Sequence, residues 1–134
     1  MKKLLFVTTV LFLSCAFSPQ KKTKIIFFGD SITELGVKEK PYRGYILELE
    51  DKSKAENKSD QYDFIGSGIS ANKVYDLYLR LEEDVLSKNP DVVFIYVGVN
   101  DVWHKTLLGT GTDADKCEKF YLAILKKLKD KNIK

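Results

Sequence analysis

Three short stretches of this 134-residue chain hold side chains and backbone able to do chemistry. Gly29-Asp30-Ser31-Ile32-Thr33 offers a hydroxyl, Gly66-Ser67-Gly68-Ile69-Ser70-Ala71-Asn72 a glycine-rich backbone, and Gly98-Val99-Asn100-Asp101 a side-chain amide. A serine hydroxyl becomes a nucleophile when a base takes its proton, and N–H donors aimed at the developing charge stabilise the oxyanion of a tetrahedral intermediate. These residue types therefore suit acyl transfer. A metal centre is not expected, because His104 is the lone histidine and the two cysteines, Cys15 and Cys117, stand far apart. Gly109-Thr110-Gly111-Thr112 lacks the lysine and spacing of a phosphate-binding loop and reads as a flexible loop with a helix cap. No cofactor is expected.

The elements that must position these groups follow from hydrophobic patterning. Ile25-Ile26-Phe27-Phe28-Gly29 is a continuous apolar run of the kind buried on both faces of a parallel sheet. Tyr62 to Gly66 reads as a second strand and Asp91 to Val97 as a third. Between them lie a helix near Arg43 to Lys54 and another carrying Val74, Leu77, Tyr78, Leu81, Val85 and Leu86 at helical spacing, ended by Asn89-Pro90. A last helix spans about Asp113 to Lys131, with Cys117, Phe120, Tyr121, Ile124, Leu125 and Leu128 on one face, and Thr112 with Asp115 as a capping box. The alternation of strand and helix predicts an α/β domain with a parallel sheet. Parallel strands would bring all three chemical stretches to one carboxyl edge, where open α/β sheets bind ligands. Asn132-Ile133-Lys134 looks like the first residues of a further strand, and the chain is expected to be the front part of a longer protein.

The same stretches carry a resemblance. Gly29 to Thr33 looks like the nucleophile block of the SGNH/GDSL hydrolases, Gly66 to Asn72 is similar to their second block, and Gly98 to Asp101 resembles their glycine-x-asparagine-aspartate block. The match runs from about Lys24 onward and covers the front part of the family's domain. It implies a flavodoxin-like three-layer α/β/α sandwich over residues 24–134, truncated before its later strands, and ester hydrolysis through an acyl-enzyme. Ser31 would be the nucleophile. The oxyanion hole would comprise the Ser31 N–H, the Ala71 N–H and the Asn100 amide, with Asp30 and Asp101 as supporting residues and Asp101 ordering its loop. Small acyl esters, acetylated carbohydrates or lysophospholipids, are the expected substrates.

Two departures bear on this reading. At Ala71 the family usually has glycine, and alanine keeps a main-chain donor there provided its φ is negative. The family's aspartate-x-x-histidine block has no counterpart before Lys134. His104, four residues after Asn100, is either a substitute base or a surface or loop-packing histidine.

Composition and charge set the remaining bounds. Met1-Lys2-Lys3 and the apolar run Leu4 to Leu13 form a secretory leader, too short to span a bilayer. Ser14-Cys15-Ala16 fits signal-peptidase cleavage, whereas Phe12-Leu13-Ser14-Cys15 resembles a lipobox whose Cys15 is lipidated, giving membrane attachment. Either way the protein is expected to be exported to the bacterial periplasm or cell envelope. Without the first fifteen residues, 20 basic face 19 acidic groups, so no basic stripe recommends nucleic acid as a partner. Cys117 then has no partner and reads as a small apolar residue. Two competing functions remain at this stage: an exported binding domain inactive for want of an Asp–His pair, and a flavodoxin-like cofactor binder.

Overall fold

The computed structural model describes residues 20–134. The leader over residues 1–15, with Cys15, lies outside the described residues. β1 (Thr23–Gly29) is the central strand, paired in parallel with both β2 (Tyr62–Gly68) and β3 (Val92–Tyr96). A strand with neighbours on both sides and helices on both faces must be apolar throughout, and Ile26, Phe27 and Phe28 are all buried.

Side chains alternate across the sheet and so supply two cores. Ile26 and Phe28 pack with Val74, Leu77 and Leu81 of α3 (Val74–Asp84) and with Ile124 and Leu128 of α5 (Ala114–Asp130). Phe27 takes the other face. Its ring stacks on Phe94 at 5.4 Å and meets Tyr45 edge-on at 5.6 Å, at the start of α2 (Tyr45–Ala55). Helices on both faces of a parallel sheet make the expected three-layer α/β/α arrangement. Tyr75, Tyr78 and Phe120 form an aromatic seam joining α3 to α5, as packing residues should.

Four local expectations change. β2 runs two residues further, to Gly68, because Ser67 and Gly68 continue the ladder opposite Phe28 and Gly29. Ser31 to Leu35 is a short helix, α1, rather than a loop, since Asp30 caps it. Gly98 to Asp101 is likewise not a loop: Gly98, at φ 128°, caps α4 (Val99–Leu108), whose first turn includes Asn100 and Asp101. The Thr112–Asp115 capping box does not form. Asp113 occupies the cap of α5 without a side-chain bond, and Thr112 turns inward, its N–H bonded to the Asp101 carbonyl at 3.1 Å. The Gly109 to Thr112 segment is accordingly tied down at both ends, with the Thr110 N–H donating to the His104 carbonyl.

β3 forms one edge of the sheet. On its Phe27 side Phe94 and Tyr96 are 55% and 56% exposed. At its start, Lys134 donates its N–H to the Asp91 carbonyl at 3.1 Å and accepts from the Val93 N–H at 2.8 Å. This alternation is that of parallel pairing and sets Lys134 opposite Val92.

Candidate active site

Ser31 is half-buried and stands immediately past the carboxyl end of β1, as the first residue of α1. Its position depends on Asp30, which is fully buried and accepts the Ile32 N–H on Oδ1 at 3.0 Å, while its carbonyl accepts the Glu34 N–H at 2.9 Å. A capped turn thus starts within one residue of the strand and presents Ser31 at the sheet edge. The other carboxylate oxygen, Oδ2 of Asp30, is buried with no hydrogen-bond partner among the described residues.

The second stretch lies against the first. A Cβ at Gly68 would overlap the backbone of Asp30, Thr33 and Glu34, so only glycine lets β2 approach α1 this closely. Beyond it the Ile69 N–H donates to the Gly29 carbonyl at 3.2 Å. Glu34 Oε2 accepts from both the Ser70 hydroxyl, at 2.6 Å, and the Ser70 N–H, at 2.7 Å. These two bonds, the hydroxyl's first, hold the Glu34 carboxyl below the usual carboxylate range. The Asn72 N–H bonds to the Ile69 carbonyl. Between these engaged amides sits Ala71, exposed, at φ 65°. The negative φ expected of alanine here is not met: the turn from Ser70 to Asn72 puts Ala71 in the left-handed region, which strains the residue but leaves its main-chain N–H in place. Among the described residues, neither the Ser31 nor the Ala71 N–H has an acceptor.

The third stretch completes the edge. Asn100 is 4% exposed and donates from Nδ2 to the Asn72 carbonyl at 3.0 Å, which leaves its second amide hydrogen available. Asp101 is 2% exposed and caps α3 by accepting the Val74 N–H at 3.2 and 3.3 Å. Its expected ordering role is thus visible, directed at the loop from Asn72 into α3. His104 follows Asn100 by one helical turn and lies half-buried beside the Trp103 ring, 5.9 Å between centroids. Cys117 is half-buried against the core, with burial pushing its thiol up. Among the described residues no cluster of ligating side chains could hold a metal ion.

Sequence reasoning missed Arg80. Its guanidinium lies 4.4 Å above the Phe28 ring and donates to the Gly29 carbonyl at 2.8 Å, the Ser67 carbonyl at 3.2 Å and the Asn72 Oδ1 at 2.7 Å. It also reaches the Ser67 hydroxyl at 3.1 Å and pairs with Asp84. An arginine on the helix that packs behind three converging segments was the available signal.

The family model described as GDSL-like lipase/acylhydrolase matches residues 27–134. The chain is 36% identical over 91 residues to an acetylxylan esterase of Geobacillus stearothermophilus, covering 61% of this chain and 41% of that protein. Among solved structures it is similar to the acetyl xylan esterase AlAXEase, with 62% identity, a TM-score of 0.79, and coverage of 83% of this chain and 55% of the other. It is also similar to a tryptophan-to-isoleucine variant of the acetyl xylan esterase Axe2 from Geobacillus stearothermophilus, at 30% identity and a TM-score of 0.72, covering 81% and 55%. The chain thus spans about half the length of the relatives it matches.

Proposed function

Since the chain belongs to the GDSL-like lipase/acylhydrolase family, we propose that the protein hydrolyses carboxylic esters by attack of Ser31, with acetylated xylan or its oligosaccharides as substrate. The observation that carries this reading is the set of unengaged donors at one sheet edge: the Ser31 N–H, the Ala71 N–H and the second Asn100 amide hydrogen. They would hold the oxyanion as the Ser31 oxygen adds to the acetyl carbon; the sugar oxygen then leaves with a proton, and water releases acetate from the acyl-enzyme. The substrate class is supported by the likeness to the two acetylxylan esterases named above.

The base in this proposal is an aspartate-x-x-histidine pair outside residues 24–134. Catalytic mutants of Axe2 replace a serine, an aspartate and a histidine, the last two three positions apart. We also propose export, with either a cleaved leader or a lipidated Cys15. The test is turnover of p-nitrophenyl acetate and acetylated xylo-oligosaccharides by the complete gene product. Ser31→Ala should reduce kcat on the order of 10⁶-fold with unchanged circular dichroism. Retained turnover would overturn the assignment. Binding of xylo-oligosaccharide without fluorophosphonate labelling of Ser31 would instead favour a non-catalytic binding domain.

A further inference from the structure

We propose that Arg80 is the positioning residue of this site, holding the three donor-bearing segments in mutual register. The role in turnover rests on the reading of Ser31 as nucleophile. Gly29 is the last residue of β1 and fixes where Asp30 and Ser31 emerge; Ser67 is the penultimate residue of β2; Asn72 follows Ala71. Arg80 donates to all three. Asn72 passes the constraint on, because its carbonyl accepts the Asn100 amide while its side chain accepts from Arg80 Nε. One planar fork therefore reaches the strand that leads to Ser31 and the residue joining the Ala71 peptide to Asn100.

Only arginine can do this. Five donors in a fixed plane meet separate acceptors, whereas an ammonium is a point charge that cannot address carbonyls on two strands and an amide oxygen together. The group is well held: the side chain is 14% exposed, the Phe28 ring lies beneath it, and Asp84, one turn along α3, balances the charge. Its contacts are spent on backbone carbonyls and a neutral amide at the edge of the sheet, beyond what its ion pair with Asp84 requires. Arg80 does not touch the reacting atoms in this scheme. It acts through the Gly29, Ser67 and Asn72 segments.

The experiment compares Arg80→Lys, Arg80→Gly and Asn72→Ala with the wild type in the complete gene product, with Lys126→Ala on the solvent side of α5 as control. Asn72→Ala cuts a single link and leaves the guanidinium in place, so it remains informative if the arginine variants fold poorly. Arg80→Lys should lower kcat about 10- to 100-fold with KM changed less than about threefold, the signature of misplaced donors rather than lost substrate contacts. Guanidinium ion should restore part of kcat in Arg80→Gly. Hydrogen exchange should accelerate in residues 29–36 and 66–73 and stay unchanged in β3 and α5. A kcat within about twofold of wild type in Arg80→Lys and Asn72→Ala, or faster exchange spread evenly over the chain, would overturn the role. If the wild type shows no Ser31-dependent turnover, the esterase reading fails by itself; local exchange then supports Arg80 as the holder of these segments, and unchanged exchange overturns it.

Discussion

At Ala71 an L-residue occupies the left-handed region, at φ 65°, where the Cβ crowds the following carbonyl at a cost of about 1–2 kcal/mol. The position stays strained because its neighbours are pinned: Ser70 by Glu34, Asn72 by Ile69, Arg80 and Asn100. Glycine would remove the crowding and lose about 0.5–1 kcal/mol of that gain to the greater entropy of its unfolded chain. Ala71→Gly should therefore raise stability by up to about 1.5 kcal/mol in urea denaturation while leaving ester turnover within a few fold, since the donor is a main-chain N–H. A lowered midpoint would mean that the alanine methyl makes a contact worth more than its strain. The Gly-to-Ala departure from the family pattern was legible in the sequence, but its sign was not. One of the contacts that hold this turn comes from Glu34, an α1 residue 36 positions from the Ser70 it binds, and no local pattern encodes such a partner.

The elements differ in how far their own residues announce them. β1 could be read directly, because Ile25 to Phe28 is apolar on both faces and Gly29 stops the run; α3 could be read because Val74, Leu77 and Leu81 repeat at a helical period and are buried. α4 escaped because its first turn reads as a polar turn and its apolar residues, Val102, Trp103, Leu107 and Leu108, are exposed, so no single buried face marks the helix. The cap of α3 escaped for a different reason. Asp76, three residues on, accepts the Lys73 N–H, but the Val74 N–H finds its acceptor in Asp101, 27 positions away. Removing it should be costly, since the Val74 N–H is buried. Asp101→Ala is expected to destabilise by about 1–3 kcal/mol, read as a lowered urea midpoint, and to speed exchange at the first turn of α3. An unchanged midpoint would show that water replaces the carboxylate. Thr112 shows the converse failure: its spacing to Asp115 matches a capping box, yet the turn directs its N–H to Asp101 and leaves its hydroxyl buried without a partner among the described residues.

For the molecule as a whole, the two sides of the sheet are unequally covered. On the α3–α5 side Val93 and Ile95 of β3 are half-buried, whereas on the α2 side Phe94 and Tyr96 lie more than half exposed. Aromatic side chains on an edge strand favour association between copies. The 134 residues expressed alone should therefore self-associate in size-exclusion chromatography, and Tyr96→Lys should shift the profile toward monomer without lowering the melting temperature. A monomeric wild-type profile at high concentration would contradict this. The pairing of Lys134 with Asp91 and Val93 gives the edge a further property. Because Lys134 stands opposite Val92, β3 acts as a ruler for whatever chain is laid along it. The residue that falls opposite Val93 must be apolar to meet the α3–α5 core, and the one opposite Phe94 must suit an aromatic stack. A slip of one position would exchange those two demands, so an arriving strand is checked residue by residue against a template already in place.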